Sequence, residues 1–301
     1  MRVLIVGCGY LGCRLGAGWV AAGHRVAGVR RPGSDPSPLR SAGIEALHAD
    51  LARREDLDGL PGDWDWVVNC AAPSEGGEEA YRRVYFEGMR NLVDWLRARP
   101  PRMFVFTGST GVYPQNDGGD VDETSSTDGG TPTGRVLREA EEVLLGAAAE
   151  GFPGVVLRIS GIYGPGRNRI AGYLRGDAAM TGDGSRWMNM VHLDDLVAAI
   201  GGALERGKRG AIYNVSDGAS CTEREFYAWL GTRLGKTAPV GDSGGAGVRR
   251  ARGVANRRIV ADRIRRELGW NPRYPDFRAG YEAEIVALGL GGRTGESGGA
   301  G

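Results

Sequence analysis

Three glycines, Gly7, Gly9 and Gly12, stand as G-x-G-x-x-G directly after the apolar run Val3 to Val6. That spacing suits a dinucleotide. The first glycine permits a tight turn, the second lets a pyrophosphate approach the main chain, and the third lets a helix pack on its strand. Tyr10 and Leu11 fall where that helix would begin, and its unpaired N–H groups and positive end favour a phosphate. The motif alone is weak in a chain with 52 glycines; its position between a strand-like run and a small-residue helical segment gives it weight. About twenty residues further on, an acid would bind the ribose 2′-hydroxyl of NAD, whereas an arginine would accommodate the additional phosphate of NADP. The second apolar run ends GVRRPGSD, so Arg30 and Arg31 hold that place and no acid precedes Asp35. The expected cofactor is NADP, with NAD second; the bland alternative is that both arginines are solvated surface.

The elements that must position these residues follow from hydrophobic patterning. RVLIV, HRVAGVR, GIEALHADL, WDWVVNCAAP, RMFVFTGSTGVY and GVVLRIS read as successive strands separated by helical or loop segments, a pattern that implies an α/β fold with a parallel, doubly wound sheet. After Gly161 the alternation weakens into Gly-rich loops, the amphipathic segment LDDLVAAIGGALERG, a short strand AIYNVS and a helix TEREFYAWLGTRLG. The expected organisation is a nucleotide-binding domain over 1–160, a smaller substrate lobe over 161–288 and a disordered tail over 289–301.

The bulk numbers exclude several function classes. With 38 Lys and Arg against 37 Asp and Glu, the formal net charge is +1, so no overall field draws the chain to nucleic acid or an anionic membrane. No apolar run approaches the roughly 20 residues that span a bilayer, and the first residues do not read as a signal peptide; the expected location is the cytoplasm. Cys8, Cys13, Cys70 and Cys221, and His24, His48 and His192, are spaced too widely for a zinc site.

With the Gly-rich turn, VVNCAAP, TGSTGVYP, LRISGIYGPGRN, VHLDDLVAAI and ELGWNPRYPDF in order, the chain resembles the extended short-chain dehydrogenase/reductases of the epimerase/dehydratase type from residue 1 to about 285. The resemblance implies a Rossmann domain, a small substrate lobe and, frequently, a nucleotide-sugar substrate. It implies that Asp50 and Leu51 meet the adenine, that Ala71 and Ala72 lie along the cofactor, and that Ser109 corresponds to the family's catalytic serine; a hydroxyl capping its own loop is the competing reading of Ser109. Arg158 matches the start of the crossover from cofactor to substrate. His192 and Asp195 match a largely structural motif.

One segment departs from the family. A tyrosine followed four residues later by a lysine is expected on the helix after the serine strand, where the ammonium lowers the phenol's pKa and the phenol moves a proton. The segment TPTGRVLREAEEVLL puts Thr133 and Leu137 at those positions, and a shift by one recruits Arg138 only at the cost of placing Gly134 at the tyrosine. The family's preceding asparagine falls at Tyr85. These departures point to an atypical branch.

Two functions stay open. One is a hydride-transferring reductase, epimerase or dehydratase acting on a small molecule, with Tyr113, Tyr163 or His192 as proton donor and Ser109 orienting the substrate; Arg186, Arg249, Arg250 and Arg257 resemble contacts to an anionic substrate, since guanidinium forks suit a diphosphate. The other is an NADP-binding regulatory or scaffold protein without turnover. A homodimer through the helical segments EEAYRRVYFEGMRNLVDWL and GRVLREAEEVLL is compatible with either.

Overall fold

The structure, a computed structural model, describes residues 1–239, 241–242 and 255–291. Seven parallel strands form its centre: β1 (Arg2–Val6), β2 (Arg25–Arg30), β3 (Glu45–His48), β4 (Trp66–Asn69), β5 (Met103–Ser109), β6 (Gly154–Ile159) and β7 (Ile212–Val215), in the order β7-β6-β5-β4-β1-β2-β3. Val3 of β1 stands beside Val26 of β2 on one side and Trp66 of β4 on the other. Successive side chains of a strand point to opposite faces. Val3 and Ile5 therefore enter one apolar layer, Leu4 and Val6 the other, which is why β1 reads as an uninterrupted apolar run rather than an alternation.

Helices cover both faces. On the first lie α1 (Tyr10–Ala21), through Leu11 and Leu15, and α4 (Leu193–Arg206), through Leu196, Ala199, Ile200 and Ala203. On the second lie α2 (Gly88–Leu96), through Met89, Leu92 and Val93, and α3 (Pro132–Ala149), through Ala140, Leu144 and Ala147. The chain runs outward from β1 to β3 in one direction and from β4 to β7 in the other. The switch between β1 and β4 opens a crevice at the carboxyl ends of the strands, the place where such sheets take ligands.

The division at residue 160 does not describe all of the chain beyond it. Ile212–Val215 returns to the central sheet, pairing with β6 from Ile212↔Val156 to Val215↔Ile159, and α4 covers that sheet. Both have enough apolar surface to be buried there, so they complete the first layer. The rest of the second part has its own core, in which α5 (Glu223–Leu234) and α6 (Phe277–Ala287) bring Phe226, Tyr227, Phe277 and Tyr281 against Tyr163, Tyr173, Met188 and Met190. A capping box between Thr222 and Glu225 starts α5. The tail expectation falls on residues of which only 289–291 are described.

Candidate functional site

The Gly-rich turn is shaped by contacts that only glycine satisfies. Gly7 has φ +76°, and a Cβ there would stand 2.3 Å from the Ala71 Cα at the end of β4. A Cβ on Gly12 would stand 2.9 Å from the Ile5 side chain, so this glycine lets α1 rest on β1. Gly9 meets nothing closer than 3.9 Å, leaving open space over its backbone. The first bond of α1 runs from the Cys13 N–H to the Gly9 carbonyl at 2.8 Å; the amides of Tyr10, Leu11 and Gly12 precede it and have no carbonyl one turn back. Open backbone and spare donors at a helix start fit a pyrophosphate.

From this turn a cleft of about 940 Å³ runs across the strand ends. Gly7, Gly9, Tyr10, Leu11, Arg30, Arg31, Asp50, Leu51, Ala71 and Ala72 all line it, whereas Gly12 lies behind them in the helix–strand contact. The Arg30 guanidinium donates to the Asp35 carbonyl at 2.9 Å, and Arg31 donates to the Ser74 hydroxyl at 3.3 Å. Neither arginine is neutralised by a carboxylate among the described residues. Asp50 is committed otherwise: it accepts from the Ala52 amide at 3.1 Å and pairs with Arg83.

At the other end of the cleft lie Ser109, Thr110, Thr131, Thr133 and Leu137, with Tyr81 and Tyr85 along the side. Ser109 lines the cleft, and its hydroxyl oxygen accepts the Gly111 amide at 3.0 Å. Tyr113 also borders the cleft, but it is only 2% exposed. Its hydroxyl donates to Asn214 Oδ1 at 2.8 Å and accepts from Arg158 Nη1 at 3.0 Å. Burial raises its phenol pKa, against which the Arg158 cation works.

Arg158 is held in turn by Glu141 of α3, Nη2 to Oε2 at 2.7 Å and Nε to Oε1 at 3.1 Å, with both side chains buried. This pair fixes the rotation of α3. Residues 133, 137 and 141 are four apart and share one helical face, and with Glu141 turned inward, Thr133 and Leu137 come to the cleft wall. Leu137 packs with Val112, Tyr113, Val121 and Ile259. Thr131 caps α3 by accepting the Gly134 amide at 3.1 Å and lies 3.2 Å, hydroxyl to hydroxyl, from Thr133. Arg138 is on another face and pairs with Glu142.

A second pocket of about 400 Å³ joins the cleft, the two sharing Thr110, Gly161, Ile162, Arg167, Ala255 and Arg257 in their walls. Arg186 lines it and donates from Nε to the Ala255 carbonyl at 2.9 Å. Arg257 is nearly buried; it donates to the Gln115 and Thr110 carbonyls at 2.9 and 2.8 Å, tying the second lobe to the Ser109 loop. Burial lowers its pKa to about 10, and the nearby Arg186 adds to this. Arg249 and Arg250 lie outside the described residues. Tyr163 contributes to this pocket and not to the cleft, and its hydroxyl is turned toward Gly280 of α6, where a Cβ would stand 1.9 Å away. His192 lines neither cavity: it caps α4 by accepting the Asp194 amide at 3.2 Å, and its Nε2 is 3.5 Å from Glu284. Asp195 accepts the amides of Arg273 and Tyr274. Tyr81, Tyr85 and Thr131 line the cleft and Glu141 holds Arg158, none of them among the site residues expected from the sequence; for Glu141 alone, the four-residue spacing beyond Leu137 is a signal that bears on it. No group of metal-ligating side chains occurs among the described residues.

The family model described as "NAD dependent epimerase/dehydratase family" matches residues 3–216. The chain belongs to this family. It is 31% identical over 287 residues to Protein YeeZ of Escherichia coli (strain K12), covering 91% of this chain and 97% of that protein. It is 27% identical over 316 residues to a 3-diazoavenalumate denitrifying reductase of a Streptomyces species, covering 94% and 100%. A dTDP-glucose 4,6-dehydratase, DesIV of Streptomyces venezuelae, solved with NAD and TYD bound, shares the fold at a TM-score of 0.80 and 21% identity over 95% and 96% of the chains. Membership of a family described as NAD dependent supports a nicotinamide cofactor for this chain. No helix among the described residues is long and apolar enough to cross a membrane.

Proposed function

We propose that the protein is an NADP-preferring oxidoreductase of the epimerase/dehydratase type acting on a small anionic metabolite, with nucleotide-sugar-like diphosphates the first class to try. The observation that carries this reading is the continuity of the cofactor cleft with a pocket walled by Arg167, Arg169, Arg186 and Arg257. A bound nicotinamide supplies a two-electron hydride donor or acceptor. The chain's part is to bind and orient: Gly7 and Gly9 keep the backbone open to the pyrophosphate, Arg30 and Arg31 offer unpaired guanidiniums to a ribose 2′-phosphate, and Arg186 offers donors to an anionic group beyond Ser109. NAD is the second choice. The proton relay differs from the family's, because Thr133 and Leu137 occupy the cleft-side face of α3.

The same two residues favour a second reading, in which the protein binds NADP without turnover. Titration of nucleotide-stripped protein with NADPH and NADH, followed by tryptophan quenching, tests the cofactor reading; binding of neither would sink it. Thermal-shift screening of nucleotide sugars and small carboxylates in the presence of NADPH or NADP⁺, followed by absorbance at the reduced nicotinamide band, separates the two readings. A ligand that binds and is oxidised or reduced supports the enzyme; binding without any redox, epimerisation or dehydration product supports the alternative.

A further inference from the structure

The loop Gly164–Asn168 of the second lobe reaches back to the first residue of α1. Tyr10 donates its hydroxyl to the Pro165 carbonyl at 3.0 Å, and the Arg167 guanidinium lies over the Tyr10 ring, 5.6 Å from its centroid. The loop is a stiff turn. Gly164 and Arg167 exchange two backbone hydrogen bonds of 3.0 Å, and Gly166 takes φ +72°. Asn168 anchors its far side by donating to the buried Glu284 at 3.0 Å. Arg167 is thus an exposed arginine presented in a defined place. No carboxylate of the described residues pairs with it, and it lines both the cofactor cleft and the adjoining pocket.

From this geometry we infer that Arg167 is a cofactor ligand contributed by the second lobe, its guanidinium meeting the pyrophosphate at the start of α1. This rests on a nicotinamide dinucleotide occupying the cleft. The positive end of α1 and its orphan amides draw the phosphates to Tyr10, and an arginine stacked on Tyr10 offers a planar, permanently charged fork at the same place. Stacking holds the fork before the ligand arrives, which lowers the ordering cost of binding. Asn168 and Arg169, next along the chain, line the substrate pocket. Occupation of the pyrophosphate site therefore also fixes the wall of that pocket.

The test is equilibrium binding of NADH, NADPH and ADP-ribose to the full chain and to Arg167→Met, which keeps an apolar group on the Tyr10 ring but removes the charge, and Arg167→Lys, which keeps the charge without the fork. Loss of a charge-assisted hydrogen bond predicts that Arg167→Met weakens all three ligands by about 10-fold or more, leaves the NADPH-to-NADH ratio unchanged, and lowers the salt dependence of binding. Arg167→Lys is expected to fall between. Unchanged affinities in Arg167→Met, or a loss confined to NADPH, would overturn the assignment while leaving the cofactor reading intact. If the wild-type chain binds none of the three, both readings fall together.

Discussion

The Glu141 carboxylate and the Arg158 guanidinium form an ion pair that joins α3 to β6 in the interior, 2.7 Å apart and almost free of solvent. Through Tyr113 and Asn214 the same network reaches β7. A single polar chain thereby sets the rotation of the helix that walls the cleft and the position of the strand end beneath it. Removing one partner strands the other charge in a low dielectric, at a cost of about 3–5 kcal/mol. Arg158→Met is expected to lower unfolding stability by that order in urea denaturation. A change below about 1 kcal/mol would mean that the pair does not anchor α3.

Tyr113→Phe deletes the hydroxyl between Arg158 and Asn214 and leaves Asn214 Oδ1 without its donor. A loss of about 1–3 kcal/mol in stability is expected, with NADPH affinity retained, as measured by denaturation and nucleotide titration. Full stability combined with a specific loss of turnover would return Tyr113 to the role of proton donor.

Tyr163→Phe should behave differently. The Tyr163 hydroxyl is buried and has no hydrogen-bond partner among the described residues, so removing it relieves an unsatisfied group rather than breaking a contact. Stability equal to or above that of the unsubstituted protein is expected in thermal unfolding. Clear destabilisation would show that the hydroxyl has a partner in solution.

Burial pushes the Asp217 carboxyl up to about 8, and the Asp276 carboxylate acts in the same direction. One of its oxygens accepts the Ala219 amide at 3.1 Å, while the other is buried without a hydrogen-bond partner among the described residues. Between the ordinary carboxylate value near ~4 and about 8, the folded state holds a proton that the unfolded chain has released. Stability contributed by this group is complete below that window and falls as pH rises through it, by up to about 1.4 kcal/mol per pH unit. Asp217→Asn, which mimics the protonated form, is expected to flatten the decline between pH 5 and pH 8 in denaturant titrations. An unchanged slope would remove Asp217 as its source.

Arg30→Ala together with Arg31→Ala should weaken NADPH by about 10-fold or more, the scale of losing a charge-assisted contact, and leave NADH nearly unaffected. Paired fluorescence titrations measure both. Equal losses for the two nucleotides would mean that the arginines do not read the 2′-phosphate.

The elements around the Gly-rich turn were legible in the sequence because their causes are local. An apolar run before spaced glycines specifies strand, turn and helix through backbone sterics and hydrogen bonding between near neighbours, and Arg30 and Arg31 follow at a distance set by one strand–helix–strand unit. The position of Ile212–Val215 was not legible in the same way. Its composition admits a strand in either part of the molecule, and only pairing with β6 places it in the central sheet.

The candidate donors divide along the same line. Tyr113, Tyr163 and His192 are equally plausible by residue type, but a side chain's partner is decided by which distant segments fold against it. Tyr113 meets Arg158 and Asn214, Tyr163 turns toward Gly280, and His192 caps α4. Sequence alone determined that α3 carries threonine and leucine at 133 and 137, a fact of composition at fixed helical spacing. That these two side chains face the cleft was decided by tertiary structure, because the buried Glu141–Arg158 pair leaves α3 one rotation in which no charge is stranded.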